Sequence, residues 1–235
     1  MTEDLIIGEK EIVIPGQVIA ESMEYLPGDN VIREKEKLIA TRVGIVNVSG
    51  RLIKLVPLAG PYVPKRDDVV IGKVTSIGFS GWRVDIGWAF EANLSVKDAV
   101  SDFVRKGADL TKYFDHGDYV MTQIFNVASM KIIDLTMRGP GLRKLEDGRI
   151  IKVGSTKVPR IIGKQGSMIT MIKEHTGCKI LVGQNGYIWL SGDDPIKEDL
   201  ALRAIYKVEK ESSMSGLTDT LKEFLEKENG LREKI

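Results

Sequence analysis

Apolar, β-forming residues gather in short runs at residues 11–14, 17–19, 38–45 and 52–58. They are cut by Pro15-Gly16, Pro27-Gly28-Asp29 and Ser49-Gly50. Short β-rich runs with turn residues at such close intervals predict a small antiparallel all-β unit over residues 5–60. The string Ala59-Gly60-Pro61-Tyr62-Val63-Pro64 holds two prolines and a glycine, and reads as a linker. A second β-rich pattern follows. Residues 69–77 and 82–86 are strand-like around the turn Gly78-Phe79-Ser80-Gly81, a short helical insert is expected over 96–113, and His116-Gly117-Asp118 leads into strands at 119–127 and 131–137. Strands in this number with one helical excursion fit a five-stranded OB-fold barrel.

Arg138-Gly139-Pro140-Gly141 breaks the chain again, and the periodicity changes. Residues 149–153 read as a strand, and 158–162 and 167–175 as two short helices around a glycine loop. Residues 178–182 and 187–190 form a hairpin across Gly183-Gln184-Asn185-Gly186. Asn-Gly between strands signals a tight turn because both central residues tolerate positive φ. Pro195 then opens a long helix to about residue 211, with Asp193 or Asp194 as its cap. A last helix, 217–235, places Leu217, Leu221, Phe224 and Leu225 on one face and is expected to pack onto its own domain or a neighbour. The expected fold class is multidomain, mainly β plus α+β. It comprises a β domain (1–62), an OB-fold barrel (63–138), a β-α-α-β-β-α domain (139–212) and a helical tail (213–235).

Composition removes several classes of function. The 235 residues are 43% hydrophobic and 29% charged, a globular profile. No stretch approaches the ~20 apolar residues of a membrane span, and Met1-Thr2-Glu3-Asp4 is unlike a secretion signal. A single cysteine, Cys178, excludes an internal disulfide and a zinc ribbon, and makes a reducing cytoplasm the default. With only His116 and His175, a catalytic triad or multi-histidine metal site is hard to assemble, and both read as turn or cap residues. Asp67-Asp68 and Asp193-Asp194 stand where strand starts and helix caps ordinarily carry acids. No phosphate-binding loop, dinucleotide fingerprint or nucleophile elbow is present. The expectation is therefore a non-enzyme with no cofactor and no metal.

Net charge is +1, but the basic residues are not spread evenly. Between Arg138 and Gly166 eight basic residues face two acids, Glu146 and Asp147. Such a stretch is what a phosphate-facing surface needs, though ordinary surface charge gives the same pattern. Its most informative part is Ile161-Ile162-Gly163-Lys164-Gln165-Gly166-Ser167. Two glycines let backbone approach backbone where a Cβ would collide, and the helix that follows points free N–H groups at a phosphate. Lys164 adds a full charge, Arg160 lies just upstream, and Ile162, Ile169, Ile180 and Val182 are candidates for the floor of a groove for unpaired bases.

Residues 149–211 resemble a KH domain of the eukaryotic-type order, whose GxxG loop clamps about four nucleotides of single strand. By that resemblance Arg160, Gly163, Lys164, Gln165 and Gly166 are RNA contacts. Ile71-Gly72-Lys73-Val74 through Trp82-Arg83-Val84-Asp85-Ile86-Gly87 resembles the opening of a ribosomal-protein-S-one type RNA-binding domain, which stacks bases on aromatics. The implied contacts are Lys73, Phe79, Arg83 and Lys97. The sequence departs from that family at Arg83, where a second stacking aromatic usually stands, and at Ser95, where a histidine is common. Strand alternation puts Trp82 and Arg83 on opposite faces.

Together with Val13-Ile14-Pro15-Gly16-Gln17 and Val56-Pro57-Leu58, these modules make nearly the whole chain similar to the RNA-binding cap subunits of the archaeal exosome. In that family the G-x-N-G hairpin (Gly183, Asn185, Gly186) serves the packing between the two RNA-binding domains. The resemblance implies a cytoplasmic, non-catalytic subunit that passes the 3′ end of single-stranded RNA to a hexameric phosphorolytic ring carrying three caps, in mixed assemblies beside a zinc-ribbon cap subunit. A purely structural brace of the ring and an independent translation-associated RNA binder remain the alternatives.

Overall fold

The computed structural model describes residues 5–232, except 103, 106, 130, 213 and 215. The acidic start and the last three residues of the expected terminal helix lie outside the described residues. Two compact units are present, residues 1–60 and 61–235.

Among the described residues the first unit holds seven short strands: β1 (Ile12–Val13), β2 (Val18–Glu21), β3 (Leu26–Pro27), β4 (Val31–Glu34), β5 (Lys37–Ala40), β6 (Gly44–Ser49) and β7 (Leu52–Pro57). They form two small sheets, ordered β1-β6-β7-β3 and β2-β5-β4. One pairing departs from the antiparallel expectation: β3 runs parallel to β7. Alternation places Val46, Ile53, Leu55, Leu38 and Ile19 in a closed core. On the outer face the register aligns Ile12, Ile45 and Val56 across three strands, with Ile12 and Val56 exposed.

The second unit begins with β8 (Val69–Ile77), β9 (Gly81–Asp85) and β10 (Ala92–Ser95), then a one-turn helix α1 (Val96–Ala99), β11 (Tyr119–Ser129) and β12 (Ile132–Thr136). The sheet closes because β12 pairs with both β11 and β10, the latter parallel. This closed five-stranded barrel has an OB-like topology. The helical insert expected over 96–113 is reduced in the described residues to α1 and a 3-10 turn at Leu110–Lys112. Ser95 caps α1 through the Asp98 N–H, and the helix ends after four residues.

A further strand, β13 (Arg143–Leu145), lies beyond the expected barrel boundary but pairs with β11 as the sheet's outer edge. Next come β14 (Arg149–Lys152), α2 (Val158–Ile162), α3 (Ser167–Thr176), β15 (Lys179–Val182), β16 (Tyr187–Ser191) and α4 (Pro195–Lys210). The three strands are ordered β14-β16-β15 and the helices cover one face. Asp194 caps α4 by accepting from the Ile196 N–H at 2.8 Å, and Pro195 follows at the first turn. Helix α5 (Leu217–Arg232) puts Leu217, Leu221 and Leu225 into the same core as Met168, Ile169 and Ile172. It is therefore an integral part of this domain rather than a detached tail.

Candidate nucleic-acid interface

The loop between α2 and α3 is shaped by its glycines. Gly163 ends α2, its N–H bonded to the Pro159 carbonyl at 3.0 Å, and takes φ 77. A Cβ there would lie 2.7 Å from the backbone nitrogen of Met168, so only glycine fits. Gly166 (φ 81) precedes α3, where an added Cβ would meet only the Thr170 hydroxyl at 3.9 Å, and no side chain caps the helix. The Ser167 N–H is taken by the Lys164 carbonyl in the loop's own 3-10 turn, but no side chain caps the amides that follow, where the helix dipole favours an anion. Lys164 and Gln165 are exposed at the tip, and Gln165 itself is left-handed at φ 53. Arg160 is exposed but not idle: its guanidinium donates to the Met214 carbonyl at 2.9 Å, tying α2 to the chain leading into α5. Of the proposed groove floor, Ile162 and Val182 are half-buried, whereas Ile169 and Ile180 belong to the core.

On the barrel, Phe79 stands fully exposed at the β8–β9 turn. It borders a groove of about 730 Å³ shared with Lys97 of α1, Arg105 and Leu110 from the β10–β11 connection, and Arg138 beyond β12. The Arg138 guanidinium is pinned there by the Lys97 carbonyl at 2.6 Å. A bare aromatic beside three cations suits a stacked base with its flanking phosphates. Two of these cations were missed as site residues in the sequence. Arg138 was visible only as a member of the basic stretch, and nothing marked Arg105.

Trp82 belongs to the core instead. It is 2% exposed, its indole N–H donates to the Phe114 carbonyl at 2.9 Å, and the two rings meet edge-on at 5.0 Å. Arg83 points outward in register with Asn93, whose amide donates to Asp134. Lys73 also faces outward, its ammonium 5.9 Å from the Tyr119 ring centre. Neither Arg83 nor Lys73 lines the Phe79 groove, so of the four barrel candidates the structure brings together only Phe79 and Lys97.

The basic stretch proves to be largely engaged within the chain. Lys144 pairs with Asp118 at 2.5 Å, Arg149 with Glu198 at 3.3 Å, and Lys152 lies over the Tyr187 ring. Burial pushes the Asp118 carboxyl up. The Lys144 hydrogen bond, the Asp115 backbone N–H and the Lys144 charge outweigh that and hold it below the usual carboxylate range.

The two domains are joined by the hairpin between β15 and β16. The Gln184 N–H donates to the Val69 carbonyl at 2.8 Å, and its side-chain oxygen accepts from the Val69 N–H at 2.6 Å. Asn185, 3% exposed, accepts from the Ile71 N–H at 3.3 Å and donates to the Ile71 and Ile86 carbonyls at 2.7 and 2.8 Å. Ile71, Leu145 and Trp189 form an apolar seam beside it. The turn is not the expected one, since Gly186 alone takes positive φ (88). This matches a three-residue hairpin loop closed by a glycine bulge. Asn185 is committed to the barrel strand.

His116 lies exposed in the Asp115–Asp118 turn, and His175 bonds the Met171 carbonyl at 2.9 Å within α3. Among the described residues no cluster of His, Cys, Asp or Glu could hold a metal ion, and no helix is long and apolar enough to cross a membrane.

Comparison with known proteins agrees with this architecture. Residues 148–196 match the family model of the KH domain. The chain is 39% identical to the exosome complex component Rrp4 of Methanothermobacter thermautotrophicus, over 98% of this chain and 73% of that one. It is 41% identical to the Rrp4 of Pyrococcus furiosus, over 94% and 84%. A crystal structure described as that of an exosome complex RNA-binding protein superposes with a TM-score of 0.65 at 35% identity, covering 74% of this chain and 99% of that one. With barrel, KH domain and near-complete coverage in agreement, the chain belongs to the Rrp4 family of exosome complex components.

Proposed function

We infer that this chain is the non-catalytic RNA-binding cap of an archaeal exosome, holding single-stranded RNA and guiding its 3′ end to a phosphorolytic ring. The observation that carries the RNA reading is the Gly163–Gly166 loop, which opens the uncapped start of α3 beside exposed Lys164. The Phe79 groove supplies a second station on the same unit. Gly163, Lys164, Gln165 and Gly166 cradle the backbone of the strand, and Phe79 stacks a base while Lys97 and Arg138 meet its phosphates. Arg83 and Lys73 act at longer range, from the barrel wall. Linked weak sites raise each other's effective concentration, so neither need bind tightly alone.

The first unit docks on the ring. Its aligned row of Ile12, Ile45 and Val56 is the apolar surface that supports this role. Three copies per hexameric ring, mixed caps with a zinc-ribbon subunit, and a cytoplasmic location complete the reading. A purely structural brace is the competing role, and charge reversal separates the two. The variant K164E/R83E/K73E, reconstituted with ring subunits, is expected to assemble normally by intact-complex mass measurement while losing RNA capture and slowing RNA decay. Undiminished capture and decay in that variant would make the chain a brace.

A further inference from the structure

A polar cleft of about 320 Å³ lies between barrel and KH domain, lined by Arg143 and Lys144 of β13, Lys179 of β15, Ser191 of β16 and the acids Glu146 and Asp147. We propose that this cleft is a third RNA station, taking one nucleotide of the single strand as it passes between the two domains; this rests on the RNA-binding reading above.

Three features carry it. Both banks are free sheet edges, since β13 ends the barrel sheet and β15 ends the KH sheet. Each bank contributes an exposed cation, Arg143 from the barrel and Lys179 from the KH domain, so a phosphate between them is held by both domains at once. Finally, β15 is shared. Its Ile180 and Val182 pack toward the helices beside the GxxG loop, and alternation turns Lys179 to the barrel side with Leu181 and Trp189. A strand leaving the GxxG groove over this edge meets Lys179 next.

Lys144 contributes less, because Asp118 already holds its ammonium. Glu146 and Asp147 repel a phosphate from the connecting turn and leave the Arg143–Lys179 side as the anion's position. Trp189 is 6% exposed, so it walls the cleft rather than offering a stacking face. A cleft of single-nucleotide scale with opposed cations suits a threaded strand better than a folded protein surface.

The test uses the full chain and fluorescein-labelled single-stranded RNA of roughly 20 nucleotides, followed by anisotropy at several salt concentrations. Removing both cations from the shared phosphate with R143Q/K179Q is expected to weaken binding roughly 5-fold at about 0.1 M salt. It should also flatten the plot of log affinity against log salt by about 0.7, the share of the one phosphate the two cations hold. An oligonucleotide of about four residues, filling only the GxxG groove, should bind the variant and the parent alike. Both side chains are exposed and neutral glutamines replace them, so an unchanged melting curve verifies the fold. If the parent binds RNA and R143Q/K179Q matches it in affinity and slope, the third station is wrong while the cap function stands. If the parent binds no RNA, the cap function itself falls.

Discussion

Replacing Asn185 by alanine removes the polar clamp that holds the KH hairpin on the barrel. In the native chain the amide satisfies the Ile86 and Ile71 carbonyls at 2.8 and 2.7 Å and the Ile71 N–H at 3.3 Å, all in a buried position. Ile86 lies just past the end of β9 and is fully buried, so its carbonyl has little access to water once the amide is gone. Leaving a buried acceptor unpaired costs at least about 1 kcal/mol, and the variant leaves two, the Ile86 and Ile71 carbonyls. The expected loss is therefore about 2–3 kcal/mol. For a unit of this size that is a drop in melting temperature of roughly 5–10 °C.

N185D is the informative companion. A carboxylate keeps an acceptor for the Ile71 N–H but turns oxygens toward two carbonyls, so it should be at least as damaging as N185A. Hydrogen exchange supplies the local readout: the amides of Ile71 and Gln184 should lose protection in both variants, while those of Leu38 and Val46 in the first unit should not change. Melting within about 1 °C of the parent, with Ile71 and Gln184 still protected, would refute the clamp.

Three further outcomes follow from the same geometry. F79A should leave stability unchanged, because the ring is fully exposed, and should weaken RNA binding by about 1–3 kcal/mol, or roughly 5- to 150-fold; W82A should instead destabilise the barrel by about 3–5 kcal/mol in denaturant unfolding. G163A should disrupt the KH domain, since its Cβ meets Met168 backbone, whereas G166A bears only left-handed strain of about 1–2 kcal/mol and should still fold by circular dichroism. The Asp118 carboxyl titrates lower folded than unfolded, so its contribution is present above the unfolded value of about 3.9 and fades as pH falls through the folded one. Stability measured from about pH 5 to 2 should therefore vary less in D118N, by under about 1 kcal/mol because the pair is partly exposed.

Much of the fold was legible because the signals were local. Runs of β-forming residues between turn residues marked β8, β9, β11 and β12, and the glycine pair marked the turn between α2 and α3. Asp194-Pro195 marked the start of α4. What escaped depended on closure and on distant partners. Trp82 and Arg83 could be assigned opposite faces from alternation, but only barrel closure, with Phe114 beneath, decides which points inward. The short strand β13 carries no hydrophobic pattern of its own and exists because β11 offers an edge. The spacing of Leu217, Leu221 and Leu225 showed an apolar face on α5 without showing that α3 lies under it. The site was readable to the extent that glycines and an aromatic carried it. Arg105 and Arg138 converge on Phe79 from separate segments, and no spacing rule links them. Conversely, Arg160 and Lys144 were counted as open charge, yet the fold gives each a partner.

The most direct test of the central claim is an anisotropy titration of the full chain with single-stranded RNA across a range of salt concentrations. A cap that tracks phosphates at the GxxG loop and the Phe79 groove should lose affinity linearly on logarithmic axes, with a slope of about −0.7 for each phosphate held and at least three held in all. Binding that is absent, or present with no dependence on salt, would contradict it.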